Sequence, residues 1–434
     1  MCRRTLPLWQ SSLRERNKMS DTLFVVPFAQ QLAANITGPL GSTKLSAKPN
    51  LDDVEITEHD SGWNFTGFIV DDLLVRADNV DVVAGAIGDL ENYGDYLYLR
   101  AQSAEGIFTQ GYHGYMNFGS IYDDSSMKGY GETIVASYLF DDMSLGGNQN
   151  TFRVTGWSYE SIEVNVGYGN TVYSGNNDDV IEVADEAQNT TVFGGDGNDS
   201  IYAGDGNDVL GGGDGNDELD GGDGDNQLFG DDGDDEISSG NGDDFVEGGE
   251  GRDHIDSGAG DDFVEGGQGR DVIHGDDGDD TLFGGEGDDH LGGGDGNDRI
   301  DAGDGSDYVH GDDGNDVIRG GDGDDEIFGG DGNDVLGGGD GNDSIYAGDG
   351  ADTVMASEGF DFIDLGGSDN SVDVVYLGVS GDEDMITGVE FGSDKLIGPD
   401  GTDMTEEAWV NNGVLNGHGG VVAAVEFVDD SFIF

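Results

Sequence analysis

The sequence GGDGNDSIY-AGDGNDVLG-GGDGNDELD, which runs from Gly194 to Asp220, opens a nine-residue unit that repeats eighteen times without insertion or deletion as far as Met355. Glycine occupies the fourth position of every copy, and aspartate occupies the sixth position of every copy except the one that carries Asn226. The eighth position is always aliphatic, as at Ile201. Such strict phasing predicts a stacked array in which every unit adopts the same backbone.

Each fixed position has a structural role in a tight loop followed by a short strand. Glycine permits positive φ and close backbone approach, so the six residues GGxGxD can turn their carbonyl oxygens inward. The aliphatic residue lies in the middle of a three-residue strand and points to one side, while positions seven and nine point to the other. One apolar side chain per unit gives a thin core.

The sixth-position aspartates are the candidate metal ligands. A carboxylate adds charge to the ring of loop carbonyl oxygens, and hard oxygen donors without nitrogen or sulfur suit Ca²⁺ rather than zinc or copper. The candidate ligands are Asp199, Asp208, Asp217, Asp235, Asp244, Asp253, Asp262, Asp271, Asp280, Asp289, Asp298, Asp307, Asp316, Asp325, Asp334, Asp343 and Asp352.

The repeats closely resemble those of the repeats-in-toxin (RTX) family, also called hemolysin-type calcium-binding repeats. The resemblance implies an all-β fold in which two consecutive units make one turn of a right-handed parallel β-roll, a β-solenoid. It also implies multiple Ca²⁺ ions held between loops stacked on the same side, so that Asp199 would share an ion with the loop of Asp217. Asn226 departs from the family pattern, which predicts weaker calcium sites around it.

Composition divides the chain into four parts. We expect a non-globular extension over residues 1–21, a mostly β domain of unknown role over 22–166, the calcium-binding β-roll over 167–373, and a C-terminal cap with a secretion signal over 374–434. Within the roll, degenerate units such as Ser174–Glu182 and Ala356–Asp364 flank the regular repeats and predict caps. Alternating runs such as Phe65–Val70 favour strands in residues 22–166, either as a separate domain or continuous with the roll.

The charge of the chain makes folding of the repeats depend on cations. The chain holds 94 acidic and 16 basic residues, a net charge of −78, and the eighteen repeats contain 50 of the acids and only four arginines. Self-repulsion opposes compaction, and the thin apolar core cannot offset it. Without calcium we therefore expect the disorder typical of a Gly/Asp-rich segment. With calcium, ion binding becomes folding free energy.

A chain that is unfolded inside the cell and folded outside suits export through a type I secretion channel, which the family resemblance also implies. Met1–Lys18 is basic and polar, so we expect no signal peptide, and no stretch approaches a transmembrane span. Asp429–Phe434 resembles the acidic-then-hydrophobic secretion signals of the family, although a final β-strand would have the same pattern. Both Met1 and Met19 stay open as starts. Cys2 is the only cysteine, which excludes an internal disulfide framework. We expect a secreted, extracellular bacterial protein.

Residues 22–166 carry no motif of the commonest enzyme classes. HExxH, GxSxG and GxxxxGK are all absent from the sequence. His59 and His113 are isolated, and acidic pairs such as Asp71-Asp72, which can serve a glycosidase, are expected to be solvated turns. Two hypotheses stay open. We favour a non-enzymatic structural or adhesive scaffold, and the alternative is a secreted hydrolase, for example one acting on polysaccharides, with its catalytic site in residues 22–166.

The sequence also bears on partners. Eight aromatic residues would suit a carbohydrate platform, and ordinary sheet packing explains them as well: Tyr93, Tyr96, Tyr98, Tyr112, Tyr115, Tyr122, Tyr130 and Trp157. Four histidines fall at positions seven or nine of the repeats, where we expect solvent exposure rather than a transition-metal site: His254, His274, His290 and His310. The acidity excludes nucleic acid as a partner. The expected partners are calcium ions, type I secretion machinery and cell-surface or carbohydrate ligands.

Overall fold

The computed structural model of the chain describes its central part almost continuously. The described ranges are 61–76, 80–122, 125–139, 142–158, 161–366, 371–377, 384–389 and 393–398, with short stretches at 21–22, 24–25, 37–38, 50–51, 54–56, 401, 403, 413–415 and 421–423. Cys2 and the predicted secretion signal Asp429–Phe434 lie outside the described residues.

Every regular element in these ranges is a β-strand. The strands before residue 167 are β1 (Asp21–Thr22), β2 (Phe24–Val25), β3 (Thr37–Gly38), β4 (Asn50–Leu51), β5 (Val54–Ile56), β6 (Ser61–Val75), β7 (Val80–Asn92), β8 (Tyr98–Thr109), β9 (Tyr115–Ile121), β10 (Ser125–Met127), β11 (Thr133–Leu139), β12 (Met143–Leu145), β13 (Thr151–Ser158) and β14 (Ile162–Val164).

Short strands then follow one another through the repeats. They are β15 (Gly167–Tyr168), β16 (Thr171–Asn176), β17 (Val180–Val183), β18 (Ala187–Gln188), β19 (Thr191–Asp196), β20 (Ser200–Tyr202), β21 (Val209–Asp214), β22 (Glu218–Asp220), β23 (Gln227–Asp232), β24 (Glu236–Ser238), β25 (Phe245–Gly251), β26 (His254–Asp256), β27 (Phe263–Gly269), β28 (Val272–Asp277), β29 (Thr281–Glu286), β30 (His290–Asp295), β31 (Arg299–Asp304), β32 (Tyr308–Asp313), β33 (Val317–Asp322), β34 (Glu326–Asp331), β35 (Val335–Asp340), β36 (Ser344–Asp349) and β37 (Thr353–Met355). The remaining strands are β38 (Phe362–Asp364), β39 (Val374–Tyr376), β40 (Met385–Thr387), β41 (Lys395–Ile397), β42 (Gly413–Leu415) and β43 (Val421–Ala423).

Parallel pairing arranges these strands into a solenoid with two faces. Leu210 pairs with Leu228, and Leu228 pairs with Val246, so the register advances by two nonapeptides per turn. The first sheet contains β9, β11, β13, β16 and the odd-numbered strands from β19 to β41, and the second contains β10, β12, β14, β17 and the even-numbered strands from β20 to β40. The predicted all-β parallel solenoid is confirmed.

The eighth-position side chains form the core of the roll between the two sheets. Leu282 of the first sheet and Leu291 of the second are both completely buried, as are nearly all of their counterparts. Positions seven and nine face outward, so that the core is one aliphatic side chain thick per strand. Hydrophobic burial on this scale is small for a segment with so many acids.

The first sheet continues unbroken from the N-terminal part into the roll. Thr133 pairs with Thr151, Thr151 with Thr171, and Thr171 with Thr191, all in parallel, so the boundary predicted at residue 166 lies within one ladder of strands. The core is thicker at this end. The largest fully buried side chains all precede residue 153, and they are Phe118, Phe152, Leu73, Ile87, Leu90, Leu97, Leu99, Met116, Ile121 and Met127.

The fourth-position glycines are required where successive loops stack. Gly287 has φ of 145°, and a Cβ atom added to it would lie 1.2 Å from the carbonyl oxygen of Gly269 in the preceding turn. No side chain fits at that distance, and the φ value itself disfavours any residue other than glycine. The glycine pattern therefore reflects contact between backbones, which sets the spacing of the loops.

We expect Gly287→Ala to destabilise the calcium-loaded roll by about 2 kcal/mol or more, because the added methyl group meets the backbone of the previous turn. The measurement is the thermal unfolding midpoint of the full chain in millimolar Ca²⁺. Gly292→Ala is the matched control, because a Cβ there lies in an extended strand with only His274 Nδ1 near it, at 3.4 Å. Equal midpoints for the two variants would contradict the stacking account.

Candidate metal centre: two columns of buried aspartates

The structure gathers the predicted ligands into two columns, one in front of each sheet. The first column, which precedes strands of the first sheet, contains Asp208, Asn226, Asp244, Asp262, Asp280, Asp298, Asp316, Asp334 and Asp352. The second column contains Asp199, Asp217, Asp235, Asp253, Asp271, Asp289, Asp307, Asp325 and Asp343. All of these side chains are buried, although aspartate is rarely buried unless it is paired or bound to a cation.

Hydrogen bonds within each column occupy one oxygen of each carboxylate. The backbone N–H of Asp262 donates to Asp280 Oδ1 at 2.8 Å, and that of Asp280 donates to Asp298 Oδ1 at 2.8 Å. The second column repeats the contact, as between Asp253 and Asp271 at 2.9 Å. Each carboxylate is thus tied to the loop of the preceding turn, and the columns run along the roll.

The other oxygen, Oδ2, has no such donor. Within the described ranges, Oδ2 of each predicted ligand from Asp199 to Asp343 is buried and accepts no hydrogen bond. A Cβ atom placed on Gly275 would lie 2.5 Å from Asp280 Oδ2 and 2.5 Å from the carbonyl oxygen of Gly293 in the next turn. Two acceptors therefore converge on one point. We call this pair of groups a rung. It consists of the sixth-position side chain of one nonapeptide and the first-position carbonyl oxygen of the nonapeptide stacked on it in the next turn.

A rung of two buried acceptors is stable only if a positive charge or a proton lies between them. The donor set of carboxylate and carbonyl oxygens fits Ca²⁺. No three His, Cys, Asp or Glu side chains of the described residues converge on one metal position, so most ligands at a rung would be backbone carbonyl oxygens. This is the oxygen-lined loop that the glycine spacing predicts.

Burial raises the pKa of these carboxyl groups. For Asp280 the pKa rises from an ordinary 3.8 to about 6, and for Asp289 and Asp298 it rises to about 7. Desolvation is the largest cause, the backbone hydrogen bond opposes it, and neighbouring aspartates add to the rise. Below about pH 6 to 7, the neutral form of these carboxyl groups is therefore favoured at a rung that lacks a cation.

Both columns extend beyond the regular repeats. Asp179 and Asp361 occupy the sixth position of degenerate units and are buried in the second column. The N–H of Asp352 donates to Asp373 Oδ1 at 2.9 Å, and that of Asp373 donates to Asp394 Oδ1 at 3.2 Å. These steps span 21 residues each instead of 18, so a fixed nine-residue phase misses them. The triplet of aspartate, any residue and an aliphatic residue is the signal that identifies them.

The first column also extends toward the N-terminus, with other side chains. Asn150, Asn170 and Thr190 occupy successive ladder positions before Asp208, and Glu132 precedes them. Glu132 is completely buried and accepts hydrogen bonds from Thr109 Oγ1 at 2.6 Å and Asn92 Nδ2 at 3.4 Å. Burial raises the pKa of Glu132 to about 7. No motif in the sequence indicated this residue.

The repeat histidines lie on the outer face of the second sheet. His274 lies between His254 and His290, with ring centroids 6.0 Å and 6.2 Å apart, and His290 is 6.2 Å from His310. They belong to an aromatic row that continues through Phe328. In the part of the chain that the structure describes, these rings do not form a metal-binding group of three. Nor does any helix there have the length and apolarity needed to cross a membrane.

The raised pKa values predict opposite effects of pH with and without calcium. In a chelator, acidification from pH 8 to pH 5 is expected to increase the ordered fraction. Folding stability from these groups is fully present below their ordinary pKa of about 4 and is lost as pH rises through 6 to 7. With calcium, the same acidification is expected to raise the Ca²⁺ concentration at half-folding, because protons compete for the carboxylates. Circular dichroism measures both effects, and a calcium midpoint that does not move between pH 5 and pH 8 would contradict the assignment.

Comparison with known protein families supports the same chemistry. The model of the RTX calcium-binding nonapeptide repeat matches the chain in overlapping segments that together cover residues 187–374, among them 211–246, 274–309 and 310–345. No curated protein is significantly similar to the chain. The matched segment contains all eighteen regular repeats and their buried carboxylates. Residues 187–374 are thus an array of RTX calcium-binding nonapeptide repeats.

Proposed function

We propose that this chain is a secreted structural or adhesive scaffold, and that its β-roll folds when many Ca²⁺ ions bind between the turns outside the cell. The observation that carries the proposal is the repeated rung, in which a buried Oδ2 such as that of Asp280 faces the carbonyl oxygen of Gly293. Calcium supplies the charge that this geometry requires. The ligands we assign are the seventeen predicted aspartates from Asp199 to Asp352.

The calcium concentration outside cells is sufficient to drive such folding. With a Kd of about 10⁻⁴ to 10⁻³ M, a few millimolar Ca²⁺ stabilises the folded state by roughly 1 to 2 kcal/mol per site. Since adjacent rungs share loops, these contributions add along the roll. At micromolar cytosolic calcium the stabilisation nearly vanishes. The chain would then pass unfolded through a type I secretion channel and fold on release.

Exposed aromatic rings support the adhesive part of the proposal. Tyr96 and His113 stack with centroids 5.4 Å apart, and Tyr130 lies 5.5 Å from His113 and 6.1 Å from Tyr112. Tyr96 is 45% exposed and Tyr112 is 53% exposed, so sheet packing does not account for them. We call Tyr96, Tyr112, His113 and Tyr130 the aromatic edge. Neutral carbohydrate is the ligand class we expect there, because sugar C–H groups pack on ring faces and anionic ligands are repelled.

The hydrolase alternative has less support. Among the described residues of the N-terminal part, Glu132 is a buried carboxyl group with a raised pKa, and raised pKa values are common in catalytic acids. Its oxygens, however, accept hydrogen bonds from Thr109 and Asn92 inside the core, where substrate has no access. We therefore assign the chain a non-enzymatic role.

Circular dichroism of the full chain tests the calcium switch. We expect a cooperative change from coil to β-structure near millimolar Ca²⁺. Mg²⁺ is expected to be far less effective, because it requires a smaller octahedral site and keeps its waters. Sodium chloride at matched ionic strength controls for screening. A roll that is ordered after exhaustive chelation at pH 8, or that folds equally well with Mg²⁺, would contradict the proposal.

A glycan array probed with the calcium-loaded chain tests the adhesive surface. Replacing Tyr96 and Tyr112 together by alanine is expected to reduce binding to neutral glycans about tenfold or more, since each lost stacking contact removes about 1 kcal/mol. Tyr376→Ala removes a comparably exposed ring at the other end of the solenoid and serves as the control. Equal binding by both variants, or no binding by the wild-type chain, would exclude the aromatic edge as a carbohydrate site.

A further inference from the structure

Three asparagines occupy the first column, and each makes the contact that the aspartates make. The N–H of Glu132 donates to Asn150 Oδ1 at 3.0 Å, the N–H of Asn150 donates to Asn170 Oδ1 at 3.0 Å, and the N–H of Asp208 donates to Asn226 Oδ1 at 2.9 Å. These bonds fix the orientation of the amide groups, because only the oxygen can accept from an N–H. The asparagines are integral members of the ladder.

The second amide atom distinguishes these positions from the aspartate rungs. Asn150 Nδ2 donates to the carbonyl oxygens of Gly146 at 2.8 Å and Gly129 at 3.1 Å, and Asn170 Nδ2 donates to that of Gly147 at 3.1 Å. Where an aspartate presents a bare oxygen toward a carbonyl of the next turn, Asn150 and Asn170 present N–H groups to carbonyls of their own loop or of the preceding turn. The amide is nearly isosteric with the carboxylate but complements those carbonyls and carries no charge.

Asn226 shows the replacement of an aspartate by an asparagine within the regular repeats. A Cβ atom on Gly221 would lie 2.5 Å from the carbonyl oxygen of Ser239 and 3.1 Å from Asn226 Nδ2, the arrangement that Asp280 and Gly293 make around Gly275. Here Nδ2 replaces Oδ2, and it donates to the Ser239 carbonyl at 3.3 Å. The acceptor pair has become a donor and an acceptor. This rung is satisfied by the chain itself.

We propose that Asn150, Asn170 and Asn226 each take the place of a calcium ion. The turns that contain Asn150 and Asn170 then fold without calcium. Their ordered strand edge is the template on which the calcium-dependent turns assemble. This inference rests on the proposed calcium role of the aspartate rungs. The inference also gives a function to Asn226, which replaces the usual sixth-position aspartate. A rung that needs no ion keeps the column of side chains continuous without adding negative charge.

The distribution of the core supports the same division of the chain. Phe152 follows Asn150 on β13, and Met116 and Phe118 lie on β9, two strands earlier in the same sheet; all three are at most 1% exposed. The regular repeats bury one aliphatic side chain per strand. Because apolar burial stabilises in proportion to area, the N-terminal turns have a driving force that the repeats lack. The thicker core thus adjoins the ion-free rung at Asn150.

Hydrogen exchange of the full-length chain, followed by mass spectrometry in EDTA at pH 8, tests the proposal. Amides of β11 and β13 are expected to exchange at least ~100-fold more slowly than those of β29 and β31, and calcium is expected to protect all four strands. If β11 and β13 exchange as fast as β29 and β31 in EDTA, the inference is wrong while the calcium role stands. If β29 and β31 are already protected in EDTA, the calcium role itself is wrong.

A matched pair of substitutions isolates the amide group. Asn150→Asp restores the bare Oδ2, so β11 and β13 are expected to lose protection in EDTA by ~10-fold or more and to regain it in millimolar Ca²⁺. Gln149→Glu adds the same charge at the adjacent exposed position and is expected to leave exchange unchanged. Rescue of Asn150→Asp by calcium distinguishes a created ion site from simple misfolding. Exchange in EDTA equal to wild type, or loss that calcium does not restore, would overturn the proposal.

Discussion

The roll depends on a pair of buried acceptors, a carboxylate oxygen and a carbonyl oxygen from the next turn, that face each other at every aspartate rung. Around Gly275 this pair is formed by Asp280 Oδ2 and the carbonyl oxygen of Gly293, and the space between them is so small that a side chain at Gly275 would fill it. Asp280 Oδ2 accepts no hydrogen bond from the described residues. The two oxygens repel each other unless a cation binds between them, so the folded state of the repeats requires the ion.

This constraint explains why the repeats combine features that would otherwise conflict. A net charge of −78 and a core of one aliphatic residue per strand do not form a stable domain by themselves. Calcium converts the repulsion into a bond between turns, and the N–H to Oδ1 contacts couple each rung to the preceding one. The N-terminal turns solve the same packing problem with amides and larger apolar side chains, as Asn150 and Phe152 show.

The sequence predicts the roll well because its physical requirements are local and periodic. Gly287, Asp289 and Leu291 each satisfy a condition within one nonapeptide, and the nine-residue phase places all three. The sequence does not reveal the continuous ladder from Thr133 to Thr191, because those turns differ in length and lack the GGxGxD loop, although each ladder position carries a threonine. It also predicts weakened sites at Asn226, since residue identity alone does not show that the amide donates to the Ser239 carbonyl.

Glu132 and Asp394 show where periodicity fails. Glu132 is tied to the ladder by contacts with Thr109 and Asn92, which lie one and two turns away, and only a folded backbone brings them together. Asp394 follows a step of 21 residues, so the roll tolerates longer turns once its columns are established. In both cases the ladder of strands continues although the nine-residue spacing is lost. The hydrogen-bonded column is therefore the feature that repeats along the whole solenoid.

Anomalous diffraction from crystals grown in calcium chloride tests the central claim most directly. The account predicts a calcium peak at aspartate rungs such as Asp280 with Gly293, and no peak beside Nδ2 of Asn150, Asn170 or Asn226. Peaks at the asparagine positions, or an ordered roll whose aspartate rungs lack calcium, would contradict it.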